Sequence, residues 1–451
     1  MNRLWGAFVS GGVLVLILSG TAFAASASRQ APGTFSASDI ARACAAPAPG
    51  QASCGALQLL DPAKNWHGSP GKKPGSTSGS STPSGFYPAD LQSAYGLAAS
   101  SGSYGSGETV AIIDAYNDPN ALTDLVTYRN YFNGRAGSVA HTSASAIPRI
   151  CTTSPASGCV NFTKYNQTGG TSSYPRNNVG WSEEISLDLD MVSAICPNCN
   201  IALVEANSAS FSDLSQAVNF AKTISRVVAI SNSYGASEFS GELAYNTDYS
   251  FLQGIAMTAS SGDGGYGVEY PAASPYLTAV GGTTLTASVT PTSLTWSQTV
   301  WSGAGSGCSA YEPQPAGQGT WNTACPSNRT VADTSADANP NTGVAVYDSF
   351  HEPGWMVFGG TSVSSPTIAS VYALAAGSEG TLFNPSPAQL YQYSETQTQP
   401  GPLYNVTSGS NGSCGTYLCN ASSTYSPAGM PAYDGPTGNG TPNGPTSLSA
   451  F

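Results

Sequence analysis

The sequence predicts an α/β domain in which a mostly parallel sheet is covered by helices on both faces. From about residue 86 onward, short apolar runs that are typical of buried strands alternate with longer helix-like stretches, which is the pattern of parallel-sheet proteins. The sequence contains no internal repeat. Because α/β folds often exceed about 250 residues as one unit, we assign residues 86–451 to one large domain.

The alternation begins at "TVAIID" (Thr109 to Asp114), which predicts a buried strand. The next stretch, "DPNALTDLVTYRNYF", predicts a helix capped by Asp118 with Pro119 at its first position. The segments that follow predict, in order, a helix ("WSEEISLDLDMVSAI"), a strand ("NIALVEA"), a helix ("FSDLSQAVNFAKT") and two strands ("VVAIS" and "GIAMTASS").

The N-terminus predicts a secretory signal over residues 1–24. "MNRLWGAFVSGGVLVLILSGTAFAASA" has a basic start, an apolar core and small residues for cleavage after Ala24 or Ala27. Gly and Ser interrupt the apolar run, which argues against a membrane anchor. We therefore expect a secreted, extracellular protein with no stable membrane association after signal removal. Residues 25–85 then form a short propeptide and a Ser/Gly/Pro-rich linker.

Cysteine usage agrees with an oxidising compartment. The ten cysteines fall into neighbours along the chain, and this predicts five local disulfides. "CPNC" at Cys196 could instead be a redox pair or half a zinc site, but no second CxxC accompanies it. The predicted pairs are Cys44 with Cys54, Cys151 with Cys159, Cys196 with Cys199, Cys308 with Cys325 and Cys414 with Cys419.

The charge balance argues against nucleic acid as a partner and suits an extracellular protein that works in acid. Charged residues make up 9% of the chain, and the net charge is -12 at pH 7, whereas nucleic-acid binding needs a basic surface. With few carboxylates to neutralise as the pH falls, the chain should resist acid unfolding.

The stretch "GGTSVSSP" (Gly359 to Pro366) offers a candidate nucleophile. Ser362 would stand at the start of a helix, with Pro366 in the first turn. A serine hydroxyl needs a neighbouring base. The three histidines, His67, His141 and His351, lack the glycine-rich surroundings of a subtilisin histidine.

Carboxyl groups offer an alternative base. Glu184 and Asp188 in "EEISLDLD" are four residues apart and so share one helix face. Two adjacent carboxyls cannot both ionise cheaply, which makes one a base and the other its orienting partner; a solvated acidic face is the simpler interpretation. Asp263 in "SSGDGG" lies in a tight turn, where a protonated carboxyl could donate to an oxyanion.

Together these motifs resemble those of the sedolisin family, the serine-carboxyl peptidases on a subtilisin-like, three-layer fold. The resemblance covers most of the chain from about residue 86. It implies that Ser362 is the nucleophile, Glu184 the general base, Asp188 its partner and Asp263 the oxyanion acid. The motifs are "EISLD", "ISNSYG", "SSGDGG", "EYPAASPYLTAVGGT", "RTVADTSADANPNTG", "GGTSVSSP" and "AYDGPTGNGTPNG".

The resemblance also implies how substrates and ions bind. Polypeptide substrates would lie along Ser233, Tyr234 and Gly235 as an added strand. A calcium ion would bind at Asn405, Val406 and Asp434, where Asn405 replaces a family carboxylate and so weakens the site. Members of the family usually carry a large folded prodomain, and we expect the short segment between the predicted signal and residue 86 not to serve as one. We expect a monomer.

Two alternatives remain open. Asp114, at the end of the first strand, could join His351 and Ser362 in a subtilisin-like triad, although the order of these residues along the chain argues against it. The chain could also be a secreted binding or surface protein that keeps the fold without catalysis.

Overall fold

A computed structural model describes most of the chain after residue 38. Among the described residues, no helix is both long and apolar enough to span a membrane. The predicted signal and most of the predicted linker lie outside them. The described residues are 39–69, 82–140, 144–151, 158–250, 254–319, 321–380, 383, 385–394, 401–422, 424–430 and 432–451.

Twenty-one strands and eight α-helices are found in these residues. The strands are β1 Ile40–Arg42, β2 Ser53–Cys54, β3 Leu57–Leu59, β4 Thr109–Ala115, β5 Arg149–Ile150, β6 Cys159–Val160, β7 Phe162–Asn166, β8 Asn200–Ala206, β9 Val227–Asn232, β10 Tyr234–Ser237, β11 Ala256–Ser260, β12 Glu269–Tyr270, β13 Thr278–Val289, β14 Leu294–Val300, β15 Gly307–Pro313, β16 Asn328–Val331, β17 Thr334–Asp337, β18 Val344–Asp348, β19 Gly354–Gly359, β20 Leu403–Tyr404 and β21 Thr441–Pro442. The helices are α1 Pro62–Asn65, α2 Pro88–Ala94, α3 Ala98–Ser103, α4 Ala121–Phe132, α5 Val179–Ile195, α6 Phe211–Ala221, α7 Thr361–Glu379 and α8 Pro387–Ser394.

The central sheet is mostly parallel and confirms the predicted fold class. Its strands follow the order β14-β13-β11-β9-β4-β8-β7, with β17 also paired to β13. All these pairs are parallel except β13 with the edge strand β14. The strands predicted from the sequence are therefore neighbours in one sheet.

Helices cover both faces of this sheet. Side chains alternate across a strand, so Val110 and Ile112 of β4 pack in the apolar cluster that contains α5 and α7, whereas Ala111 and Ile113 pack in the cluster that contains α6. Every residue of β4 is buried. The resulting three layers explain why this strand is apolar throughout.

Two helix details differ from the sequence prediction. The helix predicted to start at Pro119 begins at Ala121 with Asn120 as its N-cap, because the Asp118 carboxylate accepts the Asn120 N–H at 2.8 Å and forms a turn before the helix. Pro366 lies inside α7, beyond its first turn.

Residues 39–69 pack against the domain. Strand β1 pairs with β3, and β3 pairs antiparallel with β19, the strand that leads to Ser362. Leu57 and Leu59 are buried. The boundary at residue 85 remains a prediction, but this upstream segment contributes strands and core side chains.

All five predicted cysteine pairs are disulfides in the structure. Cys196 and Cys199 close the end of α5 and are buried, so "CPNC" is a structural bridge here.

Candidate active site

The predicted site residues meet at the carboxyl ends of the parallel strands. Ser233 follows β9, Asp263 follows β11, and α5 carries Glu184 and Asp188 across from them. Ligands of open α/β sheets commonly bind at this edge. Ser362 comes to the same place as the second residue of α7.

Ser362 is held by a sharp turn from β19 into α7. Gly360 has φ 97°, a conformation that glycine adopts without penalty. The Ser362 hydroxyl donates a long hydrogen bond of 3.4 Å to the Ser233 carbonyl. It is also near enough to Glu184 to lower the pKa of that carboxyl by hydrogen bonding.

Glu184 and Asp188 form a buried carboxyl pair. Burial first, and then the Asp188 charge, raise the pKa of Glu184 well above its usual value. Burial also raises the pKa of Asp188, while a hydrogen bond of 2.8 Å from the Ser233 hydroxyl opposes the rise. Two neighbouring carboxyls whose charges repel each other lose their protons at different pH values. One group can therefore accept a proton while the other orients it.

Asp114 belongs to the same acidic cluster. It is buried, and neither of its carboxyl oxygens has a hydrogen-bond partner among the described residues. Burial, followed by the charges of Asp188, Glu184 and Glu205, raises the pKa of Asp114. Glu205 in turn lies 3.3 Å from the Lys164 ammonium. This mutual repulsion favours protonation of Asp114.

Asp263 faces the start of α7. One carboxylate oxygen accepts the Thr361 N–H at 2.7 Å and the Thr361 hydroxyl at 3.1 Å. Burial raises the pKa of Asp263 to about 6, although the Thr361 hydrogen bonds and the Arg42 charge act in the opposite direction. Asp263 is therefore largely protonated below about pH 6 and can then donate a hydrogen bond.

Ser233, Tyr234 and Gly235 run past the candidate site, and Gly235 is the one of the three that lines the adjoining cavity. Tyr234 and Gly235 lie in β10, which pairs with Ser53 and Cys54 of β2. The Tyr234 hydroxyl donates to Asn232 at 2.8 Å and fixes the strand. The backbone of Tyr234 and Gly235 is thus paired with the chain itself, and substrate binding along these residues stays a prediction.

A cavity of about 290 Å³ lies beside Gly235. Burial and the Asp263 charge raise the pKa of Glu269 to about 7, and Arg42 lowers it. A Cβ atom added at Gly235 would lie 2.5 Å from a Glu269 carboxylate oxygen. The lining residues are Arg42, Ala46, Pro47, Ser53, Cys54, Gly55, Gly235, Ala236, Ser237, Ser260, Gly262, Asp263 and Glu269.

The structure does not assemble the subtilisin-like alternative. His351 lies exposed in the turn between β18 and β19, whereas Ser362 follows the other end of β19. Because a six-residue strand rises about 20 Å, β19 separates the backbone at His351 from the backbone at Ser362 by about that length. His67 donates its backbone N–H to Asn341, and His141 lies outside the described residues.

The residues predicted to bind calcium do not form a calcium site of the usual kind. Asp434 is their one carboxylate, and its oxygens accept the Thr437 N–H at 2.9 Å and the Thr437 hydroxyl at 2.7 Å. Burial raises the pKa of Asp434 to about 7. The part of the chain that the structure describes contains no group of three His, Cys, Asp or Glu side chains placed to hold a metal. Calcium prefers six or more oxygens, so Asn405, Val406 and Asp434 fit it poorly.

Sequence reasoning missed two contributors to the cleft. The Ala56 N–H donates to Glu184 at 2.7 Å, although the sequence placed Ala56 in a propeptide. Glu269 is the first residue of the quoted motif "EYPAASPYLTAVGGT", but nothing in the sequence indicates that its carboxyl lines the cavity beside Asp263.

Comparison with known proteins finds sequence similarity to two peptidases, kumamolisin and sedolisin. No family model matches the chain. It is 30% identical to kumamolisin from Bacillus sp. (strain MN-32) over 301 residues, which are 59% of this chain and 50% of kumamolisin. It is 31% identical to sedolisin from Pseudomonas sp. (strain 101) over 214 residues, which are 42% of this chain and 33% of that protein. The chain thus spans half, or less, of the length of these curated relatives.

The structural similarity is more extensive. Pseudomonas sedolisin, a serine-carboxyl proteinase solved in complex with two molecules of pseudo-iodotyrostatin, superimposes with a TM-score of 0.62 and 25% identity. The match covers 82% of this chain and 98% of that one. In both fold and sequence, the chain is similar to members of the sedolisin family.

Proposed function

We propose that the protein is a secreted peptidase that cleaves polypeptides in acid through an acyl-enzyme on Ser362. The observation that carries the proposal is the convergence of Ser362, Glu184, Asp188 and Asp263 from distant parts of the sequence at one cleft. A binding protein would not need a buried carboxyl pair beside a serine at a helix N-terminus.

The proposed mechanism assigns one task to each group. The Ser362 oxygen attacks the carbonyl carbon of the peptide bond while Glu184 accepts its proton. Asp188 orients Glu184, and protonated Asp263 donates a hydrogen bond to the oxyanion. Glu184 then gives the proton to the leaving amine, and water hydrolyses the acyl-enzyme in the reverse sense.

The proposal requires acid. Glu184 must be ionised, while Asp263 must be protonated. With Asp263 at a pKa of about 6, the upper limit of activity lies near about pH 6. The raised pKa of Glu184 moves the lower limit above the value for an ordinary carboxyl. Calcium at Asn405, Val406 and Asp434 remains a prediction and takes part in no step.

The test is cleavage of a denatured protein from pH 2 to 9, before and after the chain is cut upstream of residue 86. We expect Ser362→Ala to abolish cleavage. Ser370→Ala is the matched control, since Ser370 lies in the same helix and only bonds the Pro366 carbonyl. Glu184→Gln should lose at least about 100-fold in kcat/KM.

His351→Asn separates the two triads. Asparagine tolerates the φ of 63° at this position, so the fold should persist and activity should remain near that of the wild type. An optimum near pH 8 with an inactive His351→Asn and a normal Glu184→Gln would instead support the subtilisin-like triad. Cleavage by Ser362→Ala would refute the proposal altogether.

A further inference from the structure

The segment that follows β10 is held by glutamate side chains. We call residues 238–250 the clasp; it contains a short 3₁₀ helix at Glu242–Tyr245. At its start, the Glu238 carboxylate accepts the Ala310 N–H at 2.9 Å and also the Ser309 hydroxyl. Both partners lie in β15, so the clasp ties the end of β10 to another strand.

A second contact joins the clasp to the same strand. The Asn246 amide donates to the Glu312 carboxylate at 2.8 Å, and the Tyr270 hydroxyl donates to the Asn246 side-chain oxygen at 3.2 Å. Glu312 lies in β15, and Tyr270 lies in β12, which pairs with β10. Three strands therefore meet at the clasp, next to the cavity that Ala236 and Ser237 of β10 line.

Glu242 is a fully buried carboxyl group of the clasp. One of its oxygens accepts the Phe239 N–H at 2.7 Å, and the other has no donor among the described residues. The Glu238 carboxyl lies within hydrogen-bonding distance of Glu242. Because two carboxylates can only accept, a hydrogen bond between them needs a proton on one of the two.

The surroundings of Glu242 favour that proton. Burial raises the pKa of Glu242 to about 8; the charges of Glu238 and Glu312 add to the rise, and the Phe239 N–H opposes it. The titratable and charged groups that also face this cluster are Asp248 and Tyr249 of the clasp, Tyr270 of β12 and Arg329 of β16.

A rise in pH therefore works against the clasp. Once Glu238 and Glu242 are both ionised, two like charges face each other in a mostly buried site, where they repel strongly. The repulsion is relieved when the two carboxyls separate. Because Glu238 directly follows β10 and bonds β15, this separation loosens the end of β10.

We propose that the clasp is a pH-sensitive device: a proton shared by Glu238 and Glu242 holds the end of β10 in acid, and loss of that proton releases it as the pH rises past neutrality. Glu242 is thus a positioning residue. The inference rests on the proposed function, because it treats β10 as the strand along which a polypeptide binds. It gives a structural reason for activity in acid, in addition to the protonation of Asp263.

Hydrogen exchange of the full Ser362→Ala chain measures the clasp without catalysis. Protection factors, corrected for the intrinsic pH dependence of exchange, are compared between residues 234–250 and residues 200–206 of β8 as an internal reference. While Glu242 holds a proton that an opened clasp would release, protection falls by up to about tenfold per pH unit. Between pH 5 and pH 8 we expect residues 234–250 to lose at least about tenfold more protection than the reference.

Glu242→Gln separates the proton from the shape of the side chain. Its amide can accept the Phe239 N–H and donate to Glu238 at every pH, so the extra loss of protection should disappear. Glu242→Ala should leave residues 234–250 poorly protected at both pH values. Glu379→Gln, at the C-terminal end of α7, is the matched control and should behave as the parent chain. The proposal is wrong if the parent shows no extra loss, or if Glu242→Gln shows the same loss.

Kinetics connect the clasp to the proposed function. In the active chain at pH 4, Glu242→Ala should raise KM by at least about fivefold and change kcat by less than about twofold, since the reacting groups are untouched. Glu242→Gln should restore the KM of the wild type, and an unchanged KM in Glu242→Ala would overturn the positioning role. If the peptidase proposal fails, no variant cleaves but the exchange pattern persists. If the clasp proposal fails, the chain cleaves in acid while exchange of residues 234–250 is independent of Glu242.

Discussion

Asp263 determines where activity should end as the pH rises. Its raised pKa of about 6 means that the donated hydrogen bond is lost above that pH. Asp263→Asn keeps a donor at every pH, so the upper limb of the kcat/KM profile should disappear in this variant. Asp263→Ala should lose about 10²–10³-fold throughout. An Asp263→Asn profile that still falls near pH 6 would assign the upper limb to another group.

At the level of single residues, the sequence predicted which side chains come together better than it predicted what surrounds them. The spacing of Glu184 and Asp188 shows directly that they share a helix face, and the family motif supplied Ser362 and Asp263. From the sequence, Asp114 could be a member of a subtilisin-like triad or a residue that supports the candidate site. The structure places it beside the carboxyls of Asp188 and Glu184, and that position depends on which strands are neighbours in the sheet. Sequence periodicity does not encode that order.

At the scale of elements, strand β3 tests whether residues 39–69 belong to the cooperative fold. Leu59 is fully buried in the main apolar cluster, whereas Leu60 is 38% exposed. Leu59→Ala should therefore lower the free energy of unfolding by about 2–5 kcal/mol, and Leu60→Ala should change it by less than about 0.5 kcal/mol. Denaturant unfolding of Ser362→Ala chains measures both. Equal small effects would mean that β3 is not part of the cooperative unit.

The turn Asp434–Gly438 tests the calcium prediction. Because Thr437 already satisfies the Asp434 oxygens, any calcium affinity should be weak. Millimolar calcium should then stabilise the protein by less than about 1 kcal/mol relative to excess EDTA, which corresponds to a small shift in Tm. A large rise in Tm that Asp434→Asn abolishes would restore the predicted site.

Elements of regular pattern were predicted well, and short ones were not. Strand β4 and helix α5 carry long apolar or amphipathic patterns, which the sequence displays directly. Strands β2 and β3 have two and three residues. Their pairing partners, β10 and β19, lie far along the chain, so no local pattern could reveal that they complete the cleft.

At the scale of the whole molecule, buried carboxyl groups outnumber the Lys and Arg side chains that form ion pairs with them. The described residues contain four ion pairs, although the chain has 26 acidic residues and 14 Lys and Arg residues. Many of the acidic side chains are buried without a cation. The low charge content suggested that acid would neutralise few groups. The structure adds that several Asp and Glu side chains are buried, and burying a carboxyl costs less free energy when it is neutral than when it is charged.

This arrangement predicts that the folded state is more stable in acid than at neutral pH. Burial raises the pKa of Asp118 to about 8 and the pKa values of Glu205 and Asp348 to about 7, whereas unfolded carboxyls titrate near about 4. Between these values the native state binds more protons than the unfolded state. The stabilisation is therefore complete below about pH 4 and is lost as the pH rises through about 7 to 8.

Thermal unfolding of Ser362→Ala, which prevents self-digestion, measures this dependence at constant ionic strength. Tm should fall by at least about 5 °C between pH 4 and pH 8. Asp118→Asn should reduce the fall, because the amide stays neutral and its oxygen can still accept the Asn120 N–H. Asp61→Asn, which changes a partly exposed carboxylate beside Lys64, should leave the fall unchanged. A Tm maximum near pH 7 to 8 would contradict the argument, because it would require the native state to bind fewer protons than the unfolded chain.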